Sequence, residues 1–378
     1  MACQENMKKS PDKILLGTVG ILIVLGILIL ANVSAPLSLQ RFETTYYFLN
    51  HQLLFGFLPG IILGFLTFRI PLNLLKKWAP VLLLINLILL VMVFLPGIGF
   101  ELRGAARWIG IGPFSFQPSE ILKLTFILYL AAWLASRTDN KNSGINYLKS
   151  VHGQTFIAFL VVIITISLLL ILQPDISTLG VIIIVAILMY FLAKMPLWQS
   201  FLMILTGVGV LLSLIKLAPY RLNRFLVLFD PTIDPMGIGY QIKQAVIAVG
   251  SGGISGLGMG LSQFKFGFLP QTIADSIFAI FAEETGFIGS SFLILLFLIF
   301  LWRGFRVGRL CKDKFSQLTA WGITVWICLQ AFVNIAAMIG ILPLTGIPLP
   351  FISYGGSALV AQLAGIGVLL NISKQITQ

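Results

Sequence analysis

Three carboxylates stand out in an apolar stretch, FLPQTIADSIFAIFAEETGFIG at 268–289, which holds Asp275, Glu283 and Glu284 and no basic residue. An ionised carboxylate inside a bilayer costs on the order of 3 kcal/mol by insertion scales, so it usually marks a functional site. Aspartate before an apolar helix is also a good N-cap. Glu283, however, lies two helical turns deeper and about 80° around from Asp275, and one cap does not explain three acids. The pattern indicates a wet site for proton transfer or cation binding.

Two further groups of polar residues occur in and after the segment 98–117. Arg103, Arg107 and Trp108 could bind a phosphate, because a guanidinium group pairs with phosphate oxygens in two-pronged fashion. The same residue types also anchor helix ends at a membrane interface, and both interpretations stay open. Glu120 and Lys123 lie one helical turn apart, which predicts an intramembrane ion pair with a structural role.

Glycines at 250–260 allow two interpretations. GSGG at 250–253 with Gly256, Gly258 and Gly260 could present backbone amides to an anion. No strand precedes them and no βαβ unit surrounds them, so a nucleotide-binding fingerprint is not supported. Tight turns and close packing explain the glycines better.

The composition is that of a membrane protein. Of 378 residues, 58% are hydrophobic and only 10% are charged, with a mean hydropathy of +1.00, whereas soluble domains carry roughly 25% charge. The two histidines are separated by three predicted spans and the three cysteines lack paired spacing, which leaves no His-based triad or metal motif. Hydropathy predicts ten transmembrane helices, near 14–34, 52–68, 78–97, 118–135, 153–172, 177–195, 198–218, 276–302, 316–339 and 357–372.

Charge asymmetry predicts the orientation. With a cytoplasmic N-terminus, the inside segments hold 16 of the 25 basic residues and 4 of the 13 acidic ones, so they carry the whole net charge of +12. The positive balance therefore reflects topology and anionic lipid, and a nucleic-acid partner is not expected. Both termini are predicted to be cytoplasmic, with a tail at 1–13, while segments 98–117, 219–275 and 340–356 lie outside. The first span is not expected to be a cleaved signal, because no small-residue cleavage site follows it.

The segment 219–275 is too apolar for a solvated linker and too rich in glycine for an ordinary span. Irregular backbone is tolerated at membrane depth only when it is buried in protein or lines a wet cavity. We expect a structured outer loop between helices 7 and 8 that caps the outer mouth of a cavity. The predicted fold class is an all-α polytopic membrane protein.

Five ordered blocks resemble the SEDS family (shape, elongation, division and sporulation), the FtsW and RodA group of polytopic peptidoglycan polymerases. The blocks are RWIGIGPFSFQPSEILKL at 107–124, QPDISTLG at 173–180, YRLNRFLVLFDPTIDPMGIGYQIKQAVIAVGSGGISGLGMG at 220–260, LPQTIADSIFAIFAEETGFIG at 269–289 and LPLTGIPLPFISYGGSALV at 342–360. The resemblance implies a single domain of this type across 1–378. GLSQFKFGFLP at 260–270 resembles the cell-division branch more than the elongation branch.

The resemblance implies a glycosyltransferase that polymerises lipid II on the outer face of a bacterial cytoplasmic membrane, with undecaprenyl pyrophosphate as the leaving group. The family's essential aspartate matches Asp275. The usual Glu-x-His-Thr-Asp-Phe pattern is not kept around it, since Gln271, Ile273, Ala274 and Ser276 replace its other residues. The roles of those polar neighbours are therefore in doubt, whereas the aspartate is retained.

Under this reading Asp275 is the general base, and the leaving group needs cationic help from residues on the outer side. The candidates are Arg103, Arg107, Arg221, Arg224 and Lys243. A divalent cation, Mg²⁺ or Mn²⁺, stays an open option, because no ligand set decides it. By resemblance, the partners are a class B penicillin-binding protein and other division proteins. Alternatives are an elongation-type polymerase, a lipid II flippase, which the lack of inverted repeats disfavours, and a binding scaffold.

Overall fold

The computed structural model describes residues 10–102, 105–111, 114–138, 145–217 and 219–376. Within these ranges the chain is predominantly helical, as predicted. The α-helices are α1 Lys13–Phe42, α2 Tyr47–Gln52, α3 Leu58–Arg69, α4 Leu72–Met92, α5 Pro118–Thr138, α6 Ile145–Leu172, α7 Ile176–Leu192, α8 Leu197–Leu217, α9 Pro219–Phe229, α10 Ile238–Ser251, α11 Ile277–Leu310, α12 Lys314–Met338 and α13 Gly356–Gln375.

The ten predicted spans all coincide with apolar helices. Seven helical segments of the described chain are long and apolar enough to cross a membrane, and α2 and α3 form one of them, Tyr47–Arg69. Shorter apolar helices at Phe156–Leu172, Ile176–Leu192 and Leu197–Gly207 match the fifth to seventh predicted spans. The predicted fold class, an all-α polytopic membrane protein, is confirmed.

The second span contains a π-helical turn, Leu53–Phe57, between α2 and α3. Glycines on this span let it approach α13 closely. A Cβ built on Gly60 would come within 2.6 Å of the Leu363 side chain, and one on Gly64 within 2.9 Å of the Leu363 carbonyl. Small residues are the usual means by which membrane helices pack at short distance, because lipid supplies no hydrophobic drive for association.

One end of the bundle, here named the Asp12 end, brings the start of α1 and the end of α13 together. The Asp12 amide donates to Ser373 Oγ at 3.1 Å, and the Asp12 carboxylate pairs with Arg303 of α11. Asn371 of α13 donates to two carbonyls at the turn between α3 and α4. The prediction that both terminal segments share one side is therefore consistent with these contacts.

The opposite end, here named the Asp275 end, collects four connections. Gln117 N donates to Ser357 Oγ at 3.1 Å, which joins the α4–α5 connection to the start of α13. Arg107 Nε donates to Gln173 O at 3.0 Å, which joins it to the α6–α7 connection. Residues of the three segments predicted to lie outside make contacts at this end, since Gln117 of 98–117 bonds to α13 and Arg224 of 219–275 bonds to Leu344 of 340–356.

The connection between α4 and α5 is a small antiparallel sheet, where the sequence predicted only a polar loop. Its strands are β1 Gly99–Leu102, β2 Ala105–Ile111 and β3 Phe114–Phe116, in the order β1-β2-β3. Arg107 and Ile109 are two residues apart on β2, so both side chains point to the same face. Ile109 is buried. The alternating pattern was missed because the strands are short and separated by glycine.

The segment 219–275 is structured, as expected. It contains α9, α10 and two 3₁₀ turns, Pro231–Ile233 and Phe264–Phe266. Asp230 begins the first turn, where its carboxylate accepts from Thr232 N at 3.0 Å and from the Thr232 hydroxyl. These hydrogen bonds hold the pKa of Asp230 below its ordinary value.

Candidate functional site

Asp275 lies in a tight turn that leads into α11. Gln271, at φ 59°, accepts through its carbonyl from Ala274 N at 3.0 Å and from Ser276 N at 3.3 Å. The N-cap of α11 is Ser276, whose hydroxyl donates to Pro270 O at 2.9 Å. The N-cap position assigned to Asp275 by the capping interpretation is therefore wrong by one residue. Asp275 itself is half-buried.

Three successive carbonyls before α11 are held by the region from the end of α12 to the start of α13. Ile273 O accepts from Tyr354 N at 2.8 Å, Ala274 O from Ser353 Oγ at 2.5 Å and Asp275 O from Asn334 Nδ2 at 2.8 Å. A backbone fixed at three consecutive peptides has little freedom to move. The backbone that carries the Asp275 side chain is thus held rigidly.

Four consecutive residues, 344–347, connect this turn to other helices. Leu344 O accepts from Arg224 Nη1 at 3.4 Å, Thr345 O from the Ser177 hydroxyl and Ile347 O from Asn334 Nδ2 at 2.8 Å. Gly346, at φ 69°, lies beside the carboxylate, because a Cβ built on it would be 4.0 Å from Asp275 Oδ2. The segment 344–347 therefore has the carboxylate of Asp275 and the guanidinium of Arg224 on its flanks.

Arg107 is held by the α6–α7 connection. Its Nε donates to Gln173 O at 3.0 Å and its Nη2 donates to Pro174 O. The adjacent Asp175 begins α7 and accepts from Ser119 Oγ at 2.9 Å. These contacts give Arg107 a structural role that the sequence did not reveal. Trp108 is half-buried on β2, opposite Phe100 of β1.

The other basic candidates differ in placement. Lys243 is exposed on α10, two residues after Gln241, whose side-chain amide donates to Ser276 Oγ at 3.0 Å. Lys243 thus lies on a helix next to the start of α11. Arg103 and the side chain of Arg221 lie outside the described parts of the structure. Of the predicted phosphate-binding residues, Arg107 and Arg224 are shown to reach the Asp275 end.

The ion pair predicted between Glu120 and Lys123 is confirmed. Lys123 Nζ lies 2.8 Å from the Glu120 carboxylate, and both side chains are buried. The ammonium also lies 5.7 Å from the centre of a Trp326 ring on α12. This buried ion pair lies within α5, on the side of the helix that faces α12.

The wet site predicted around Glu283 and Glu284 is wrong. Both carboxylates are almost fully buried, and each is paired with the segment before the Asp275 turn. Glu284 accepts from Lys265 Nζ at 3.0 Å, and Glu283 accepts from Gln263 N at 3.1 Å and from the Ser262 hydroxyl. A carboxylate buried in this way is stable only when its charge and lone pairs are satisfied. The two glutamates therefore fix the loop.

Asn32 of α1 completes this buried network. Its amide nitrogen donates to Glu284 and its carbonyl oxygen accepts from Lys265 Nζ at 2.9 Å. Neither Asn32 nor the pairing role of Lys265 was predicted from the sequence. Lys265 was visible as a basic residue in an apolar segment, but it precedes Glu284 by 19 positions, so no local spacing rule connects them.

A break in α11 explains how the loop reaches these glutamates. Gly286 has φ 67° and ψ −161°, which interrupts the helix. The carbonyls of Glu283 and Glu284 instead accept from Leu257 N and Gly258 N, both at 3.0 Å. On the other side of the break, Phe287 N and Ile288 N donate to the carbonyls of residues 253 and 254. Backbone groups freed by the break are thus paired with the loop, as a membrane setting requires.

The glycines of this loop serve close packing, as the sequence analysis favoured. A Cβ on Gly252 would lie 2.2 Å from Ala282 O, and one on Gly256 would lie 2.2 Å from Glu284 O. Only glycine allows the loop backbone to lie against the broken helix at this distance. The backbone amides of Gly256 and Gly258 are themselves engaged, by Gly252 O and Glu284 O.

Tyr354 links the second span to the Asp275 turn. Its hydroxyl lies 2.9 Å from His51 Nδ1, and its amide holds Ile273 O. Burial, with a smaller effect from Tyr47, raises the pKa of Tyr354 to about 12. The phenol therefore stays protonated at neutral pH and can keep this hydrogen bond.

A metal site is not evident in the described residues. No three His, Cys, Asp or Glu side chains in those ranges come together as a ligand set.

Comparison with known proteins agrees with this architecture. The chain is 38% identical to Stage V sporulation protein E of Bacillus subtilis (strain 168), over 97% of this chain and 98% of that protein. It is 36% identical to a probable peptidoglycan glycosyltransferase FtsW of Wigglesworthia glossinidia brevipalpis, over 95% of this chain and 92% of that protein. A chain from the structure of a peptidoglycan synthase complex that coordinates polymerization and crosslinking superposes with a TM-score of 0.76, at 26% identity, and the match covers 97% of this chain and 99% of that one. The family model described as cell cycle protein, which covers FtsW, RodA and SpoVE, matches residues 12–378, and the chain belongs to that family.

Proposed function

We propose that this chain is a peptidoglycan glycosyltransferase that polymerises lipid II, with Asp275 as the general base. The observation that carries the proposal is the arrangement around residues 344–347, where the Asp275 carboxylate and the Arg224 guanidinium flank one short segment. The name of the FtsW relative supports the reaction class. A general base and a phosphate-binding cation at one end of a membrane bundle suit a transfer reaction on a charged lipid.

The chemistry needs a base but no general acid. A sugar hydroxyl attacks the anomeric carbon of the lipid-linked chain, and Asp275 accepts the hydroxyl proton as the new glycosidic bond forms. The bond from the anomeric carbon to undecaprenyl pyrophosphate breaks, and the pyrophosphate leaves with the bonding electron pair. A positioned base contributes about 10² to 10⁴ in rate. Cationic donors near the leaving oxygens stabilise the charge that develops there.

Arg224 is the best-supported cationic partner among the described residues. Its guanidinium makes a long contact of 3.4 Å with Leu344 O, which a phosphate oxygen could replace or supplement. Arg107 keeps two donors on the carbonyls of Gln173 and Pro174, so its contribution to phosphate binding is secondary. We also include Arg103, Arg221 and Lys243 in the proposed cationic group, because all three lie in segments predicted to be outside.

The setting of the reaction follows from the predicted topology. We assign the Asp275 end to the outer face of a bacterial cytoplasmic membrane and the Asp12 end, with both termini, to the cytoplasm. The proposed process is septal wall synthesis in cell division, in complex with a class B penicillin-binding protein. The solved relative in a peptidoglycan synthase complex supports such a partner.

Asp275→Asn tests the proposal. Asparagine retains the volume and the hydrogen-bonding capacity of aspartate but cannot accept the proton, so we expect glycan synthesis to fall about a hundredfold or more. The assay is chain formation from lipid II by the purified protein with its partner and a divalent cation, read on a gel. Asp230→Asn is the matched control, because Asp230 lies in the same segment and demonstrably caps a turn.

The outcomes separate the competing functions. Near-parental synthesis by Asp275→Asn together with a normal Asp230→Asn variant would contradict the base assignment. If the parent protein forms no chains but moves lipid II across vesicle membranes, the transporter hypothesis replaces the polymerase. A loss confined to Asp275→Asn supports the proposed chemistry.

A further inference from the structure

Asn334 occupies an unusual position near the end of α12. It is 1% exposed, and both hydrogens of its side-chain amide are used, one on Asp275 O and one on Ile347 O, each at 2.8 Å. The orientation of the amide is determined by these partners. A flipped amide would place its oxygen against two carbonyl oxygens, which only accept hydrogen bonds.

The oxygen atom of this side-chain amide is in an energetically unfavourable position. Asn334 Oδ1 is buried and accepts no hydrogen bond from any described residue. An apolar residue here would pack α12 without leaving such an acceptor unsatisfied, and a buried unsatisfied acceptor is unfavourable. The benefit that offsets this cost is the pair of donors directed at the Asp275 peptide and at the segment 344–347.

Resting on the function proposed above, we propose that Asn334 is a positioning residue that sets the Asp275 carboxylate relative to Arg224. The link is direct. Asn334 joins the Asp275 peptide to Ile347, and three residues earlier Leu344 accepts from Arg224. One side chain thus connects the peptide that carries the proposed base with the segment that carries the proposed phosphate-binding residue.

Loss of this link is expected to affect the rate of the chemical step more than substrate binding. A displacement of about 1 Å at a reacting group can cost about a hundredfold in rate. Ser353 and Tyr354 still hold the two preceding carbonyls, so the turn is expected to loosen rather than unfold. Asn334→Ala removes both donors, and Asn334→Asp replaces them by acceptors at nearly constant volume.

Asn371 provides a matched control in the same molecule. It is also a buried asparagine near the end of a spanning helix, 6% exposed, and its amide donates to Thr67 O at 3.1 Å and Ile70 O at 2.6 Å. Its contacts lie at the Asp12 end, away from Asp275. Asn371→Ala and Asn371→Asp therefore remove the same kind of tie without touching the proposed site.

The experiment compares kcat, KM for lipid II and the thermal unfolding midpoint of the four single variants. We expect the Asn334 variants to lose about 10-fold to 100-fold in kcat with KM changed by less than about threefold. The Asn371 variants should show a similar fall in unfolding midpoint with kcat within about threefold of the parent. If Asn334 has only a structural role, kcat should fall along with the unfolding midpoint to the same extent in the Asn334 variants and in the Asn371 variants.

A double variant supplies the decisive readout. Asp275→Asn removes the general base, so the exact position of residue 275 no longer affects the rate. Adding Asn334→Ala to that variant should therefore lower kcat by less than about a further threefold. If Asn334→Ala instead lowers kcat as much in the Asp275→Asn variant as it does in the parent protein, the positioning role is overturned. If Asp275→Asn is inactive while the Asn334 variants merely match the Asn371 variants, the positioning role fails and the proposed function stands. If Asp275→Asn is fully active, the proposed base itself fails.

Discussion

Lys265 Nζ lies 3.0 Å from Glu284 Oε1, and their side chains are only 4% and 2% exposed. This pair answers the question posed by three acids in an apolar stretch without a basic residue. The compensating ammonium comes from the loop that packs on the broken helix α11. The contacts of Glu283 and Glu284 with this loop therefore explain two of the three acids.

Removing one partner of this pair should destabilise the fold strongly. Lys265→Met leaves Glu284 buried without its ammonium, and breaking a buried pair typically costs about 3–5 kcal/mol. The measurement is the thermal unfolding midpoint in detergent. Lys243→Met is the control, since Lys243 is exposed in the same segment and its loss should cost little.

The double variant Lys265→Met with Glu284→Gln tests the cause of that loss. Without the carboxylate no uncompensated charge stays buried, so the double variant should be more stable than Lys265→Met alone. Equal or lower stability of the double variant would show that Lys265 acts through packing or through Asn32 instead.

Gly286→Ala should destabilise the protein, because Gly286 has φ 67° and a Cβ there would lie 2.3 Å from Gly256 N. The backbone conformation alone costs about 1–3 kcal/mol for a side-chain-bearing residue. Gly20→Ala on α1 is the control, since nothing lies within 4 Å of its added Cβ. A thermal melt of both variants checks this. Equal midpoints would mean that the break is not required.

Arg224→Ala should weaken the use of lipid II, because it removes the cation proposed to stabilise the leaving pyrophosphate. Arg224→Lys should restore activity only in part, since lysine lacks the planar fork that binds phosphate oxygens. Steady-state kinetics on lipid II measure both, with exposed Arg309→Ala at the end of α11 as the control. Parental kinetics in Arg224→Ala would assign this arginine to membrane anchoring.

The proposed orientation predicts opposite accessibility at two positions. Pro235→Cys lies at the Asp275 end and should react with an impermeant thiol reagent from outside, whereas Leu310→Cys should react only from the cytoplasmic side. Native Cys311 should contribute little background, because burial, with Asp313, raises the pKa of its thiol to about 12. Labelling of both positions from outside would contradict the topology, and labelling of Pro235→Cys only from the cytoplasmic side would place Asp275 on the inner face.

The sequence alone determined that this is a membrane protein and where along the chain its apolar helices lie. Composition required a membrane setting, and the ten apolar segments gave ten helices, because hydrophobic length is a local property that the bilayer enforces. The Glu120–Lys123 pair was predictable for the same reason, since its partners lie one turn apart on a single helix.

Only the tertiary structure decided what the polar residues contact. Glu284 is paired with a lysine 19 positions earlier and with Asn32 from the first helix. Arg107 donates to carbonyls 66 and 67 positions away, and Asn334 ties Asp275 to a different connection. A buried polar group must find a partner wherever the fold provides one, and no periodicity in the chain specifies such distant neighbours.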